Sequence, residues 1–120
     1  MLNLDTHIVI KAVEGTLTPR ELGLLMKDPE WGISAIVLWE IAKFHEMGRI
    51  RYGLGHAPLA AALDWIHVWP LSRQVCLNTA ALDFKSDPAD ELIAATSLTH
   101  GVPLVTRDTR IRASRLIQCL

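Results

Sequence analysis

The sequence predicts an α/β fold with a short, mostly parallel sheet. Short apolar runs of strand length recur along the 120 residues, and segments with helical spacing and clear start signals lie between them. Half of the residues are hydrophobic and 21% are charged, which is typical of a globular chain with a real core. Because no repeat, low-complexity segment or linker interrupts this pattern, we expect one domain over residues 1–120.

The first half of the chain predicts two strands and three helices. Thr18-Pro19-Arg20-Glu21 is a strong helix start, because Thr18 can cap, Pro19 suits the first position and Glu21 completes a capping box. Gly15 and Gly48 mark helix ends. The predicted elements are a central strand at 2–4, a helix at 6–13, a helix at 18–27, a strand at 32–34 and a helix at 35–47.

The second half continues the alternation. Pro70 predicts that its strand is short or lies at an edge. Asp87-Pro88 starts a helix and Gly101 ends it. The predicted elements are a helix at 57–66, a strand at 67–71, a helix at 72–83, a helix at 88–100, a strand at 103–106, a short helix at 108–114 and a last strand at 116–119.

Four acidic residues fall where ligands bind in a parallel sheet, beyond the carboxyl ends of the strands. Asp5 follows the first strand, and Asp108 follows the strand at 103–106. Asp90 begins the helix that leads into that strand. Glu40 lies in the second turn of the helix after the second strand, inside its apolar stripe. We therefore expect these four carboxylates to converge on one crevice.

Such a cluster repels itself unless a cation neutralises it. Oxygen ligands hold hard divalent cations, and Mg²⁺ uses few carboxylates while keeping several waters. Mg²⁺ or Mn²⁺ held there can orient a water, lower its pKa and stabilise charge on a phosphodiester. Each acid alone also has a structural explanation. Asp5, Asp87 and Asp108 suit helix caps. The helix dipole favours Asp90, and Glu40 can reach solvent from the edge of its stripe.

Positive charge is concentrated near the end of the chain, although the net charge is −1. Residues 101–120 hold four arginines against one aspartate. The four are Arg107, Arg110, Arg112 and Arg115. Two roles are weighed equally for them: contact with the phosphates of a nucleic acid, or a solvated helix face.

The cysteines and the apolar runs indicate the compartment. Cys76 and Cys119 lack metal-binding spacing and are too few for a disulfide framework, which fits a reducing cytoplasm. No basic segment precedes a long apolar run near the start, and no run is long enough to cross a bilayer. We expect a cytoplasmic protein.

Four tryptophans are many for a chain of this size. They are Trp31, Trp39, Trp65 and Trp69. Tryptophan is enriched at interface anchor positions. Trp69 lies within a predicted strand, which favours the core, whereas core and interface stay equally open for Trp39 and Trp65.

Four segments together resemble the PIN domain. They are MLNLDTH, SAIVLWEIAKFHEMGRI, DPADELIAATSLTHGVPLVTRD and RIRASRLIQCL, and they span essentially the whole chain in the family's order. The chain is most similar to the small bacterial VapC-type toxins of toxin–antitoxin pairs. This resemblance implies a three-layer α/β/α sandwich and a Mg²⁺-dependent endoribonuclease, for which Mn²⁺ can substitute.

The resemblance also assigns residues and partners. It carries the family's four acids onto Asp5, Glu40, Asp90 and Asp108, with Asp5, Asp90 and Asp108 as metal ligands. Thr106 matches the hydroxyl residue near the fourth acid. Glu91 departs from the pattern, since many relatives have arginine there. The implied partners are an RNA substrate, a cognate small antitoxin and a second copy of the chain in a homodimer.

Other phosphate-handling folds of this class lack their residues here. A response-regulator receiver needs an aspartate at the end of its third strand, and HVWPL has none. A haloacid-dehalogenase-type phosphatase needs an acid two residues after Asp5, where His7 stands. The main alternative is a non-catalytic PIN-fold RNA-binding or regulatory module, and the retention of all four acids argues against it.

Overall fold

A computed structural model describes all 120 residues. The strands are β1 (Leu2–Leu4), β2 (Trp31–Ser34), β3 (His67–Trp69) and β4 (Leu104–Val105). The helices are α1 (Thr6–Glu14), α2 (Pro19–Lys27), α3 (Ala35–Glu46), α4 (Ala57–Leu63), α5 (Arg73–Asn78), α6 (Pro88–His100) and α7 (Thr109–Arg112). A single 3-10 turn, Thr79–Ala81, follows α5. None of the helices combines the length and the apolar character needed to cross a membrane.

The four strands form one parallel sheet in the order β3-β2-β1-β4. As predicted, β1 is an inner strand. Its three residues are all buried, although neighbouring side chains of a strand point to opposite faces. Helices therefore cover both faces of the sheet, which confirms the α/β prediction and gives the three-layer arrangement.

The start and stop signals read from the sequence produce the expected local structure. The backbone N–H of Glu21 donates to the Thr18 hydroxyl at 3.1 Å, and the Thr18 N–H donates to the Glu21 carboxylate at 2.8 Å, which completes the predicted capping box of α2. Gly15 and Gly101 end α1 and α6 with φ of 72° and 63°, a left-handed conformation that glycine adopts without strain.

Trp69 explains why glycine stands in the middle of β2. A Cβ atom on Gly32 would lie 2.5 Å from the Trp69 ring, so only glycine lets the indole come this close to the strand. Trp69 is 5% exposed, which confirms its prediction as a core residue. β3 lies at one edge of the sheet and has three residues, as Pro70 predicted.

The strands predicted at 67–71 and 103–106 and the helix predicted at 108–114 are shorter in the structure, and three other predicted elements differ more. The helix at 57–66 ends at Leu63, and the helix at 72–83 ends at Asn78 before the 3-10 turn. The predicted last strand at 116–119 is wrong, because only one bridge forms, between Leu104 and Cys119. The Ser114 hydroxyl accepts hydrogen bonds from the backbone N–H groups of Leu116 and Ile117, and these amides are thereby turned away from the sheet.

Candidate functional site

The ends of β1 and β4 bring two of the predicted acids together. Leu4 pairs with Val105 in the parallel ladder, so the next residues, Asp5 and Thr106, are neighbours. The Thr106 hydroxyl donates to Asp5 Oδ2 at 2.5 Å and accepts from the backbone N–H of Asp108 at 3.0 Å. One buried hydroxyl therefore connects the first acid to the loop that carries the fourth.

Thr6 makes the corresponding connection to the second acid. It is 1% exposed, and its hydroxyl donates to Glu40 Oε1 at 2.5 Å. This bond joins the first residue of α1 to the second turn of α3, with Glu40 half-buried between them. Glu40 is thus held toward the acids rather than at a stripe edge in solvent.

Asp90 enters from the first turn of α6. The Ser86 hydroxyl donates to Asp90 Oδ2 at 3.0 Å and fixes its orientation. Asp87 occupies the N-cap position of α6 as predicted, but its side chain makes no capping hydrogen bond. Glu91 closes the helix start instead, because its Oε1 accepts from the backbone N–H of Ser86 at 3.2 Å.

These elements surround an open crevice of about 350 Å³ at the carboxyl edge of the sheet. Charged and polar side chains line it without an apolar residue. They are Asp5, His7, Lys11, Asp90, Arg107 and Asp108. Three of the four predicted acids therefore share one crevice, and Glu40 stands behind it through its bond to Thr6.

The pKa values of the acids show that the cluster is electrostatically strained. Burial raises the pKa of Asp5, Glu40 and Asp90 above the usual carboxyl range. Repulsion among the carboxylates raises them further, and the hydroxyl groups of Thr106, Thr6 and Ser86 oppose the effect by donating hydrogen bonds. A cation in the crevice would relieve this repulsion.

The donor set fits a hard divalent cation held partly through water. No three carboxylate, imidazole or thiol groups already converge tightly enough to ligate one ion directly. Asp108 Oδ1 is occupied by the backbone N–H groups of Arg110 and Ile111, which it caps at 2.8 and 3.0 Å, while its other oxygen stays open. Carboxylate oxygens around a crevice with room for several waters suit Mg²⁺, which retains part of its hydration shell.

The four arginines of the C-terminal run have separate surroundings. The Arg107 guanidinium donates two hydrogen bonds to Glu21, at 2.7 and 2.6 Å, and lowers the pKa of that carboxyl to about 2. Arg112 donates to the carbonyls of Thr106 and Leu120. Arg110 donates to the carbonyl of Lys85, and the backbone of Arg115 donates to Asp83. Only Arg107 lines the crevice, and their role in RNA contact stays a prediction.

Sequence reasoning missed two cationic or polar residues of the crevice, His7 and Lys11. Both follow Asp5 on α1, four residues apart, and that spacing places them on one helix face. The signal for them is the helix start at Asp5, because a helix that begins there puts positions 7 and 11 on the same side. Thr6 was also missed, because its bond to Glu40 crosses 34 positions of sequence.

The sequence is similar to those of known proteins. Residues 3–115 match the family model described as PIN domain. The chain is 34% identical over 120 residues to Ribonuclease VapC22 of Mycobacterium tuberculosis, an alignment covering 93% of this chain and 90% of that protein.

Solved structures share the fold at lower identity. A crystal structure of VapBC2 from Rickettsia felis bound to a promoter DNA fragment is similar with a TM-score of 0.77 and 20% identity, covering 100% of this chain and 98% of that chain. DNA-bound VapBC from Salmonella typhimurium is similar with a TM-score of 0.73 and 18% identity, covering 99% and 96%.

Proposed function

The chain belongs to the PIN-domain family, and we propose that it is a metal-dependent endoribonuclease that acts as the toxin of a type II toxin–antitoxin pair. The observation that carries the proposal is the convergence of Asp5, Asp90 and Asp108 on one crevice, with Glu40 held behind them by Thr6. The relative at 34% identity is named a ribonuclease, which supports RNA as the substrate class.

The four acids fall into two groups in the proposed reaction. Asp5, Asp90 and Asp108 would hold Mg²⁺, or Mn²⁺ in its place, which when bound polarises the phosphodiester and lowers the pKa of a bound water. Glu40 would either position the attacking water or bind a second metal ion, and the Thr6 hydroxyl holds its carboxylate in place for either role. Thr6 and Thr106 fix the orientation of Glu40 and Asp5 through their hydroxyl groups.

An antitoxin would bind beside this crevice. An apolar groove of about 390 Å³ runs between α1, α2 and α4. Its walls include Val9, Val13, Leu22 and Met26. One solved structure of similar fold, with a TM-score of 0.72 and 22% identity, is described as a toxin–antitoxin complex from Klebsiella pneumoniae. We infer that an apolar antitoxin segment lies in this groove and that an arginine or lysine from it neutralises the carboxylates.

A second copy of the chain is the other partner of the proposal. Trp39 and Trp65 are 55% and 91% exposed, which is unusual for tryptophan in an isolated chain. Exposure of these two side chains supports a homodimer in which at least one of them is covered. Both the toxin and its RNA target would meet in the cytoplasm.

A cleavage assay on mixed-sequence RNA tests the enzyme. Wild-type protein is expected to cleave RNA with Mg²⁺ or Mn²⁺, to leave single-stranded DNA intact and to stop in excess chelator. Asp5→Asn is expected to abolish cleavage while thermal stability is unchanged or higher, because carboxylate repulsion falls. The matched control Asp64→Asn changes an exposed carboxylate outside the crevice and is expected to cleave normally. Full activity of Asp5→Asn, or of wild type in chelator, would refute the proposal.

A further inference from the structure

The crevice continues into a second cleft across the exposed side of α1. This cleft has a volume of about 180 Å³ and shares His7 and Lys11 with the acidic crevice. Its far end is formed by Phe44, at the C-terminal part of α3, and by Arg49 in the turn that follows. The two adjoining spaces form a channel that is acidic at the sheet edge, and its other end carries Lys11 and Arg49 with one carboxylate, Glu14.

Phe44 organises the basic end of the channel. The Arg49 guanidinium lies 4.8 Å from the centre of the Phe44 ring, within cation–π range. The His7 ring stacks against the same phenyl ring, with centroids 6.0 Å apart and planes 20° apart. The backbone N–H of Arg49 also donates to the Phe44 carbonyl at 2.8 Å. Arg49 is thus held against the Phe44 ring, and no carboxylate neutralises its charge.

The charge of these residues is available to a ligand. Arg49 is exposed and makes no ion pair, unlike Arg107, which is committed to Glu21. Lys11 has one acidic neighbour, Glu14, at 3.6 Å, and both side chains are about one third exposed, at 37% and 34%. Such a long, solvated ion pair contributes little and is readily exchanged for a phosphate.

We propose that the cleft lined by Lys11, Phe44 and Arg49 binds the sugar–phosphate backbone of single-stranded RNA on one side of the scissile bond. This inference rests on the proposed ribonuclease function and names where its substrate lies. An acidic crevice repels a polyanion, so affinity for RNA must come from cations beside it. The channel provides two cations, Lys11 within the crevice and Arg49 further along the proposed course of the RNA.

Equilibrium binding separates this site from general charge. A labelled mixed-sequence RNA of about 20 nucleotides is titrated, without metal, into the Asp5→Asn protein at several salt concentrations. Adding Lys11→Ala and Arg49→Ala is expected to weaken binding about tenfold and to reduce the slope of log K against log salt by about 1.4, the value for two phosphates on a single strand. The control pair Lys27→Ala and Arg73→Ala removes the same charge elsewhere and is expected to keep the slope.

Cleavage kinetics provide the second measurement. With the acids intact, the Lys11/Arg49 double variant is expected to raise KM about tenfold and to leave kcat within about threefold, since these residues bind and do not react. Truncating the RNA from one end should raise KM for wild type and have no effect on the double variant. Phe44→Leu alone should cause part of the rise in KM that Arg49→Ala causes. Combined with Arg49→Ala, it should cause no further rise.

The outcomes distinguish the two proposals. If wild type cleaves RNA but the double variant keeps the KM and salt slope of the control pair, the cleft does not bind RNA and the inference is overturned. If wild type cleaves no RNA with any divalent metal, the proposed function fails, and the binding titration still decides whether the cleft holds a single strand. Circular dichroism of each variant confirms that it is folded.

Discussion

One helix, α1, separates two surfaces of opposite chemistry. His7 and Lys11 face the polar crevice, whereas Val9, Ala12 and Val13 face the apolar groove. Each set follows the spacing of three or four residues that puts side chains on one helix face. The same nine-residue helix therefore forms one wall of the acidic crevice and one wall of the groove proposed for the antitoxin.

The two surfaces differ in how far the rest of the chain bonds or covers their side chains. Carboxylates of the crevice already receive hydrogen bonds from Thr6, Thr106 and Ser86, so their positions are set before any ligand arrives. The groove leaves Leu22 and Met26 exposed by 49% and 73%, with nothing in the chain to cover them. The crevice side chains are therefore fixed by bonds within the chain, whereas the groove exposes apolar surface of the kind that a partner covers.

The largest expected effect breaks the crevice alone. Glu40→Gln is expected to reduce RNA cleavage at least about 100-fold, the scale of general acid–base catalysis, because glutamine lacks the negative charge that positions the attacking water or binds a second metal ion. Single-turnover cleavage at saturating RNA measures it, and antitoxin binding through the groove should be unaffected. Unchanged cleavage would assign Glu40 a structural role only.

Thr6 offers a matched pair of variants for the same comparison. Thr6→Ser keeps the hydroxyl that donates to Glu40 and is expected to retain most activity, whereas Thr6→Val keeps the shape and removes the bond. A loss in Thr6→Val without a loss in Thr6→Ser would show that the orientation of Glu40, rather than its charge alone, supports the reaction.

A smaller effect breaks the groove alone. Met26→Asp places a charge among apolar side chains and is expected to weaken inhibition by the antitoxin about 30-fold, while cleavage by the free chain is unchanged. Co-expression of the chain with the neighbouring small protein, followed by growth and cleavage assays, measures it. The chain alone is expected to be toxic.

The control for the groove is Met47→Asp, an equally exposed methionine outside it, 64% against 73%. The antitoxin should inhibit RNA cleavage by this variant as strongly as it inhibits the wild type. Sedimentation at micromolar concentration should give a dimer for wild type and both variants, and a monomer would remove the interface role of Trp39 and Trp65. Harmless expression of a chain that is active in vitro would indicate a housekeeping nuclease.

Sequence reasoning predicted the parts of the molecule that local signals determine. The capping box at Thr18 and the glycine stop at Gly101 are local, and the structure confirms both. The strand predicted at 116–119 failed because the hydroxyl of Ser114 competes for its amides, and the apolar run does not reveal this. In the site, the pairing of β1 with β4 explains why Asp5 meets Asp108, whereas the Arg107–Glu21 pair spans 86 positions and had no local signal.

The smallest expected effect is a dependence of stability on pH that differs between the crevice and the α2 wall of the groove. Asp5, Glu40 and Asp90 have pKa values raised above their ordinary values near 4, so the folded chain binds their protons more tightly than the unfolded chain. Stability of the metal-free protein should therefore fall as pH rises from about 4 through the raised pKa values. Glu21 behaves oppositely.

Because Arg107 lowers the pKa of Glu21 from 4.5 to about 2, its contribution is present above 4.5 and is lost as pH falls toward 2. Thermal melts in chelator should give a melting temperature that is highest on the acidic side of neutrality. It should fall by about 2–5 °C toward neutral pH (the neutral limb) and by about 2–5 °C toward low pH (the acidic limb). Asp5→Asn should flatten only the neutral limb, and Glu21→Gln only the acidic one. Mg²⁺ at neutral pH should restore the neutral limb of wild type, because an ion that binds only the folded chain stabilises it. Equal flattening of both limbs by either variant would mean that the crevice and the α2 wall do not titrate independently.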